Sequence, residues 1–152
     1  MSFADIPIRS NGQDVDASWW NTIRTQLLLA FGDVSGEVPQ SIGLADTDQD
    51  VTELTFDKAD FSKVDIRYWV RRSTDDFEYL QSQTLELHYY RNTNEWKLRE
   101  GPLRGDDALT TFSIFEDTTG GGNIVTVRYS TLTISGADYV GTISTKWEAW
   151  SN

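Results

Sequence analysis

The pattern most suggestive of chemistry is an acidic stretch at residues 46–50, which reads DTDQD. Carboxylates at alternate positions open an EF-hand calcium loop, which also needs glycine at its sixth position and a bidentate glutamate at its twelfth. Val51 and Asp57 occupy those two positions in this chain. We therefore interpret the stretch as a solvated acidic segment and predict no metal site.

The sequence offers few residues for histidine or cysteine chemistry, because His88 is the only histidine and the chain has no cysteine. Catalytic triads and histidine-based metal sites both need partner residues. The run LELHY at residues 85–89 alternates apolar and polar positions, which places His88 opposite Leu85 and Leu87. We predict a histidine on the surface of a strand.

Paired carboxylates could indicate glycoside hydrolysis, which uses two acids about 5 to 9 Å apart. The pairs at residues 75–76 and 106–107 lie in turn-like stretches, where aspartate hydrogen-bonds its own backbone. The triple glycine at residues 120–122 is not followed by Lys-Ser/Thr and leads into a predicted strand, so it is not a phosphate loop. We predict no catalytic residue, no cofactor and no enzymatic activity.

Aromatic residues are plentiful, with six Trp, six Tyr and seven Phe. Trp69 alternates with Asp65, Arg67 and Arg71, so it is expected on the polar face of its strand, where it could stack on a sugar or contact a protein. The alternative is that the rings fill the core, as aromatic rings more often do. The candidate ligand-contact aromatics are Trp69, Tyr90 and Trp96.

Length and charge limit the remaining classes. A chain of 152 residues suits one core. Thirteen basic against 24 acidic residues give a net charge of −11, which disfavours nucleic acid and anionic membranes as partners. The N-terminus lacks a secretion-signal pattern, and the longest apolar run, at residues 27–31, is far too short for a membrane span. We expect a chain that is made and kept soluble.

An extended arm and one helix are predicted at the N-terminus. Asp16 is a good N-cap and Gly32 a good C-terminal stop, which bound a helix at about residues 17–31. Its apolar stripe is so wide that the helix must pack on its own domain, on copies of itself or on another protein. The predicted assembly interface consists of Trp19, Trp20, Ile23, Arg24, Leu27 and Phe31.

The rest of the chain is predicted to be mainly β. Residues 36–50 contain Gly36, Pro39 and Gly43 without periodicity, which favours a linker. From residue 51 onwards the period is two, with turn signals between runs, so we predict an antiparallel β-sandwich or barrel of about seven strands. The domains are therefore residues 1–35 (arm and assembly helix), 36–50 (linker) and 51–152 (β-sandwich).

Two stretches resemble proteins of tailed bacteriophages. Residues 6–9 read IPIR, residues 11–12 read NG and residues 15–24 read VDASWWNTIR, a run similar to the N-terminal segment of tail-fibre and tail-associated virion proteins. Residues 104–114, RGDDALTTFSI, with VTVRYST at 125–131, are similar to a small β module of such chains, although Ala108 stands where that module has glycine.

The resemblance implies a non-enzymatic structural protein of the virion, assembled in the host cytoplasm and often trimeric. A fibre would continue into a shaft beyond Asn152, so we predict a short tail-associated adaptor or fibre-type subunit. Its expected partners are other virion proteins, further copies of itself (a trimer is favoured) and a host-surface glycan. The alternatives are a capsid decoration protein or a carbohydrate- or receptor-binding module, and the position in tail, neck or capsid stays open.

Overall fold

The computed structural model describes residues 33–151. These residues form ten strands and one short 3-10 turn at Thr119–Gly121. The predicted N-terminal helix and its six predicted interface residues, Trp19, Trp20, Ile23, Arg24, Leu27 and Phe31, lie outside the described residues. The strands are β1 (Asp33–Val34), β2 (Val38–Ser41), β3 (Gln49–Asp57), β4 (Phe61–Ser73), β5 (Glu78–Tyr90), β6 (Glu95–Glu100), β7 (Arg104–Gly105), β8 (Thr110–Asp117), β9 (Ile124–Thr131) and β10 (Val140–Ser151).

Seven of these strands form a large antiparallel sheet. Its three long strands lie in the order β10, β4, β5, and each outer edge is shared by two short strands, β1 and β2 beside β10, and β6 and β7 beside β5. Strand β4 pairs with β5 from Lys63↔His88 to Ser73↔Glu78 without a break. The alternation predicted for β4 is observed, because Val64, Ile66, Tyr68 and Val70 are all buried on one face.

The other three strands form a small antiparallel sheet in the order β3, β9, β8. Strands β8 and β9 make a hairpin closed by the 3-10 turn. Strand β3 pairs with β9 irregularly between Asp50 and Thr55, where Glu53 has a φ of 64°. This irregularity bends β3 away from a flat ladder.

Both sheets contribute to one hydrophobic core. Phe56 of the small sheet meets Trp147 of the large sheet with ring centroids 5.1 Å apart. Tyr68 of the large sheet likewise meets Phe112 of the small sheet at 4.4 Å. The prediction of a mainly β, antiparallel domain is confirmed. The barrel alternative is wrong, because the described strands form two separate sheets that do not close on themselves.

The predicted linker belongs to the domain. Residues 36–50 contain β2 and the first two residues of β3, and Ile42 between them is buried in the core. Strand β2 pairs with β10 through Val38↔Thr145 to Ser41↔Thr142. Pro39 suggested a loop, but proline is tolerated on an edge strand, where a missing N–H leaves no partner unpaired. The domain therefore includes β1 and β2, upstream of the predicted boundary at residue 51.

A buried arginine joins the segments that cross between the sheets. Arg72, at the end of β4, is fully buried, and its guanidinium donates to the carbonyl oxygens of Leu44 at 2.9 Å, Ala108 at 2.7 Å and Leu132 at 2.8 Å. Its Nε also donates to the Tyr139 hydroxyl at 3.1 Å. These acceptors lie in the β2–β3, β7–β8 and β9–β10 connections, so one side chain holds three of the four crossovers.

Candidate binding site

The three candidate ligand-contact aromatics lie in different environments. Trp69 lies on the outer face of the large sheet with 45% of its surface exposed. Tyr90 is half-buried near the other end of that face, where its hydroxyl accepts a hydrogen bond from Arg99 at 3.1 Å. Trp96 is only 2% exposed, because the alternation of β6 directs it inward beside Tyr89. Trp96 is therefore a core residue and not a contact residue.

The acidic stretch at residues 46–50 is exposed as predicted at Asp48 and Asp50, but not at Asp46. The partly buried Asp46 carboxylate accepts hydrogen bonds from the Gly43 N–H at 2.5 Å and the Tyr129 hydroxyl at 2.7 Å, so it serves as an acceptor within the fold. Asp50 pairs with Arg128 at 2.8 Å on the exposed face of the small sheet. Among residues 33–151, no group of three or more His, Asp or Glu side chains is arranged to hold a metal ion.

The other residues singled out for chemistry have structural contacts. His88 lies on the outer face of β5, with its Nε2 at 3.5 Å from the Glu86 carboxylate. Asp107 accepts a hydrogen bond from the N–H of Leu109 at 2.9 Å, two residues further on, as turn aspartates do. The glycines at 120–122 belong to the turn of the β8–β9 hairpin.

The outer face of the large sheet is organised in rows that run across the strands. Trp69 lies between Ser144 of β10 and Ser82 of β5, and Arg104 of β7 lies beside Ser82. We call these four residues the tryptophan row. The row on one side consists of Thr142, Arg71 and Leu80, and the row on the other side of Lys146, Arg67 and Thr84.

Two shallow grooves flank the indole ring of Trp69. One, of about 390 Å³, is bounded by Arg67, Trp69, Thr84 and Arg104. The other, of about 310 Å³, is bounded by Trp69, Arg71, Leu80 and Arg104 and by the hydroxyls of Thr142 and Ser144. Among the described residues, neither groove is lined by Asp or Glu. We call the two grooves and the ring between them the Trp69 surface.

A glycine sets the position of Arg104 in this surface. Gly105 has a φ of 82°, and a Cβ added there would collide with the carbonyl oxygen of Leu80. Glycine alone accepts this conformation and this close approach without strain. Strand β7 can therefore lie directly against β5, with Gly105 opposite Gln81 and Arg104 opposite Ser82.

The charge around Trp69 is unusually positive for a chain with a net charge of −11. Arg67 lies directly opposite Lys146 across the β4–β10 ladder. Like charges in such a pair repel, which lowers the stability of the sheet. Within the described part of the chain, Arg67, Arg104 and Lys146 form no ion pair, and Arg71 forms one, with Glu78 at 3.3 Å.

Carboxylates border the surface on two sides. On the Arg71 side, Glu78 pairs with Arg71 and Asp106 accepts a hydrogen bond from the Leu80 N–H at 3.2 Å. On the Arg67 side, two carboxylates are engaged with the row beyond them. The row beyond Arg67 contains Glu148, Asp65 and Glu86. Asp65 pairs with Lys63 at 3.5 Å and Glu86 with His88 at 3.5 Å, both in the row further from Trp69. The Trp69 surface is therefore a basic, partly apolar area bordered by an acidic row.

The sequence predicted only part of this arrangement. Period-two alternation placed Arg67, Trp69 and Arg71 on one face, and the structure places them there. Ser82, Arg104 and Ser144 could not be found in this way, because their position depends on the register between strands far apart in sequence. No local signal in the sequence carries that register.

Of the residues that the structure describes, none belongs to a helix long and apolar enough to cross a membrane. No family model matches the chain, and no curated protein or solved structure is significantly similar to it. The site is therefore characterised by its own geometry: one exposed indole ring, two grooves and a set of basic side chains with few acidic partners.

Proposed function

We propose that the chain is a non-enzymatic structural protein of a bacteriophage virion, a tail-associated adaptor or fibre-type subunit. In this proposal the N-terminal arm and helix assemble the protein with its copies and with other virion proteins. The β domain, a sandwich of the two sheets, is the module that they carry. The proposal is supported by the resemblance of residues 6–24 and by the way the domain begins.

The start of the domain is the observation that carries the proposal. Strand β1 pairs with β10 through Asp33↔Ala149 and Val34↔Glu148. Ser35 extends this contact by two hydrogen bonds to the backbone of Trp147. Its N–H donates to the Trp147 carbonyl at 2.9 Å, and its hydroxyl accepts from the Trp147 N–H at 2.9 Å. Residues 33–35, the first that the structure describes, are thus held to the last strand of the domain, which is the arrangement that an assembly segment upstream would need in order to position the module.

The test is the solution mass of the intact chain beside that of residues 33–152, measured by light scattering after size exclusion. The cut is made at residue 32 so that β1 is retained. We expect a trimer for the intact chain and a folded monomer for the shorter one. Equal oligomeric states would contradict assembly through the N-terminal segment.

A single substitution sharpens this test. Trp20→Glu places a charge in the predicted apolar stripe and should lower the mass of the intact protein to that of a monomer. The matched control is Leu132→Glu, which places the same charge at a side chain that is 65% exposed in the β domain and should leave the mass unchanged. If Trp20→Glu also leaves the mass unchanged, the helix is not the assembly element.

A second candidate function is carbohydrate or receptor binding by the β domain. The Trp69 surface is the specific observation that favours it, because an exposed aromatic ring bordered by hydroxyl and guanidinium groups is typical of sites that hold a polar ligand with an apolar face. The two candidates are compatible, since a virion subunit can also contact the host surface. Loss of glycan binding on Trp69→Ala is the direct test.

A further inference from the structure

We infer that the Trp69 surface binds an acidic saccharide, in which a sugar ring packs on the indole and a carboxylate is held by arginine. This inference deepens the second candidate function and rests on it. It is independent of assembly through the N-terminal segment, which the solution mass tests separately.

The charge distribution favours an anionic ligand at the Trp69 surface. A protein with a net charge of −11 repels anions at most of its surface, so a basic area without lining carboxylates is where an anion can approach. Arg67 and Arg104 both line the larger groove, and neither forms an ion pair within the described residues. The opposed pair Arg67 and Lys146 reduces sheet stability unless an anion lies between or above them.

The kind of cation indicates a planar anion. A guanidinium presents its N–H groups as a rigid fork that matches the two oxygens of a carboxylate. Arg104 lies in the wall common to both grooves, and Gly105 fixes the strand that carries it. A carboxylate bound there would lie close to the indole ring of Trp69.

The rest of the surface suits a sugar ring. The indole of Trp69 offers an apolar platform for the C–H face of a pyranose. Hydroxyls of Ser82, Thr84 and Ser144 surround it and can donate to or accept from sugar hydroxyls. Each groove, at about 390 and 310 Å³, falls at the lower end of the volume range of small-ligand pockets, which suits one or two sugar residues.

Nucleic acid is the weaker match to the same surface. Single-strand binding tracks a long phosphate backbone in a basic groove with several stacking rings. Here one ring is exposed, and the acidic row of Glu148, Asp65 and Glu86 lies directly beyond Arg67 and Lys146. An extended phosphate chain would meet this row, whereas a short oligosaccharide would not.

The experiment uses the intact protein and a panel of defined acidic sugars: trigalacturonic acid, a hyaluronan tetrasaccharide and 3′-sialyllactose. Each acid is paired with its methyl ester, which keeps the sugar and removes the charge. Isothermal titration calorimetry should detect binding of at least one acid, with affinity for its ester reduced at least roughly tenfold, the loss expected for one charge-assisted hydrogen bond. Affinity should also fall as NaCl is raised.

Variants locate the site. Trp69→Ala and Arg104→Gln should each weaken binding of the acid at least roughly tenfold. Their matched controls are Trp150→Ala, a ring near the other end of the same face, and Arg128→Gln, on the small sheet. Both controls should bind as the wild type does, and circular dichroism checks that all four variants are folded.

Three results would overturn the inference. Equal binding of an acid and its ester would leave a sugar-binding function without the proposed carboxylate contact. Tighter binding of a ten-nucleotide single-stranded DNA than of any sugar would assign the surface to nucleic acid. Absence of binding to the whole panel by folded wild-type protein would remove both the inference and the second candidate function, but not the assembly proposal.

Discussion

At the scale of single residues, the buried Arg72 is expected to contribute more to the stability of the fold than its neighbours along β4. Its guanidinium is fully buried and donates to backbone carbonyls from three connections between the sheets. No carboxylate of the described residues pairs with it, so the charge is balanced by carbonyl dipoles and by the Tyr139 ring at 5.4 Å. Removal of the side chain would leave one buried carbonyl oxygen and several partly buried ones without this donor, which is costly.

We predict that Arg72→Met lowers the free energy of unfolding by about 3 kcal/mol or more, because each lost bond to a charged donor contributes about 1.5 to 3 kcal/mol. The matched control is Arg71→Met, one residue earlier, whose exposed side chain makes one ion pair within the described residues, with Glu78. That variant should change stability by about 0.5 kcal/mol or less. Urea denaturation measures both, and similar losses in the two variants would show that Arg72 has no special role.

Two tyrosines link stability to alkaline pH. Burial raises the pKa of Tyr68 to about 12, and burial together with the Asp46 carboxylate also raises the pKa of Tyr129 above its ordinary value. Both phenols stay protonated in the folded chain at a pH where they ionise in the unfolded chain, near 10. Their contribution is therefore complete below about pH 10 and is lost as the pH rises above that value.

We expect the free energy of unfolding to fall between about pH 10 and pH 12, and Tyr129→Phe to make this fall smaller. At pH 8 the same variant should be less stable than the wild type by about 1 kcal/mol, because it lacks the Tyr129 hydroxyl that donates to Asp46. Tyr90→Phe on the outer face is the control for the alkaline effect. Urea denaturation at pH 8, 10 and 11 decides the matter, and an unchanged slope in Tyr129→Phe would exclude this linkage.

At the scale of elements, the strands before residue 51 are the main revision to the sequence-based expectation. Strands β1 and β2 cover one edge of β10, and Ile42 fills part of the core. The chain of residues 33–152 should therefore unfold cooperatively, whereas residues 51–152 should be unfolded or markedly less stable. Thermal unfolding followed by circular dichroism compares them, and equal midpoints would show that residues 33–50 are dispensable.

The sequence predicted the elements whose alternation is strong. Strands β4 and β5 are predictable because apolar and polar residues alternate in them over many positions. Strand β2 was missed because four residues with a proline carry little periodicity. Trp96 was misplaced because β6 has only six residues and its inward face is decided by pairing with β5.

At the scale of the whole molecule, charge is divided unevenly in a way that composition cannot show. The net value of −11 correctly describes an acidic chain, but it does not reveal that Arg67, Arg71, Arg104 and Lys146 gather around one tryptophan. These residues come from three strands of the large sheet, β4, β10 and the short strand β7. Only the register between the strands brings them together. The sequence therefore predicts the part of the candidate site that lies on β4, which is Trp69 and its neighbours, and not the residues that other strands contribute.

The division of the large sheet's edges into pairs of short strands also bears on aggregation. Addition of a foreign strand needs a long, continuous row of unpaired backbone groups. Strands β1, β2, β6 and β7 have two, four, six and two residues, so neither edge offers such a row. In the described domain the longer edges belong to the small sheet: β3, with nine residues but an irregularity between Asp50 and Thr55, and β8, with eight residues and no such break. The colloidal stability of the protein at high concentration therefore depends on β8 more than on the larger sheet.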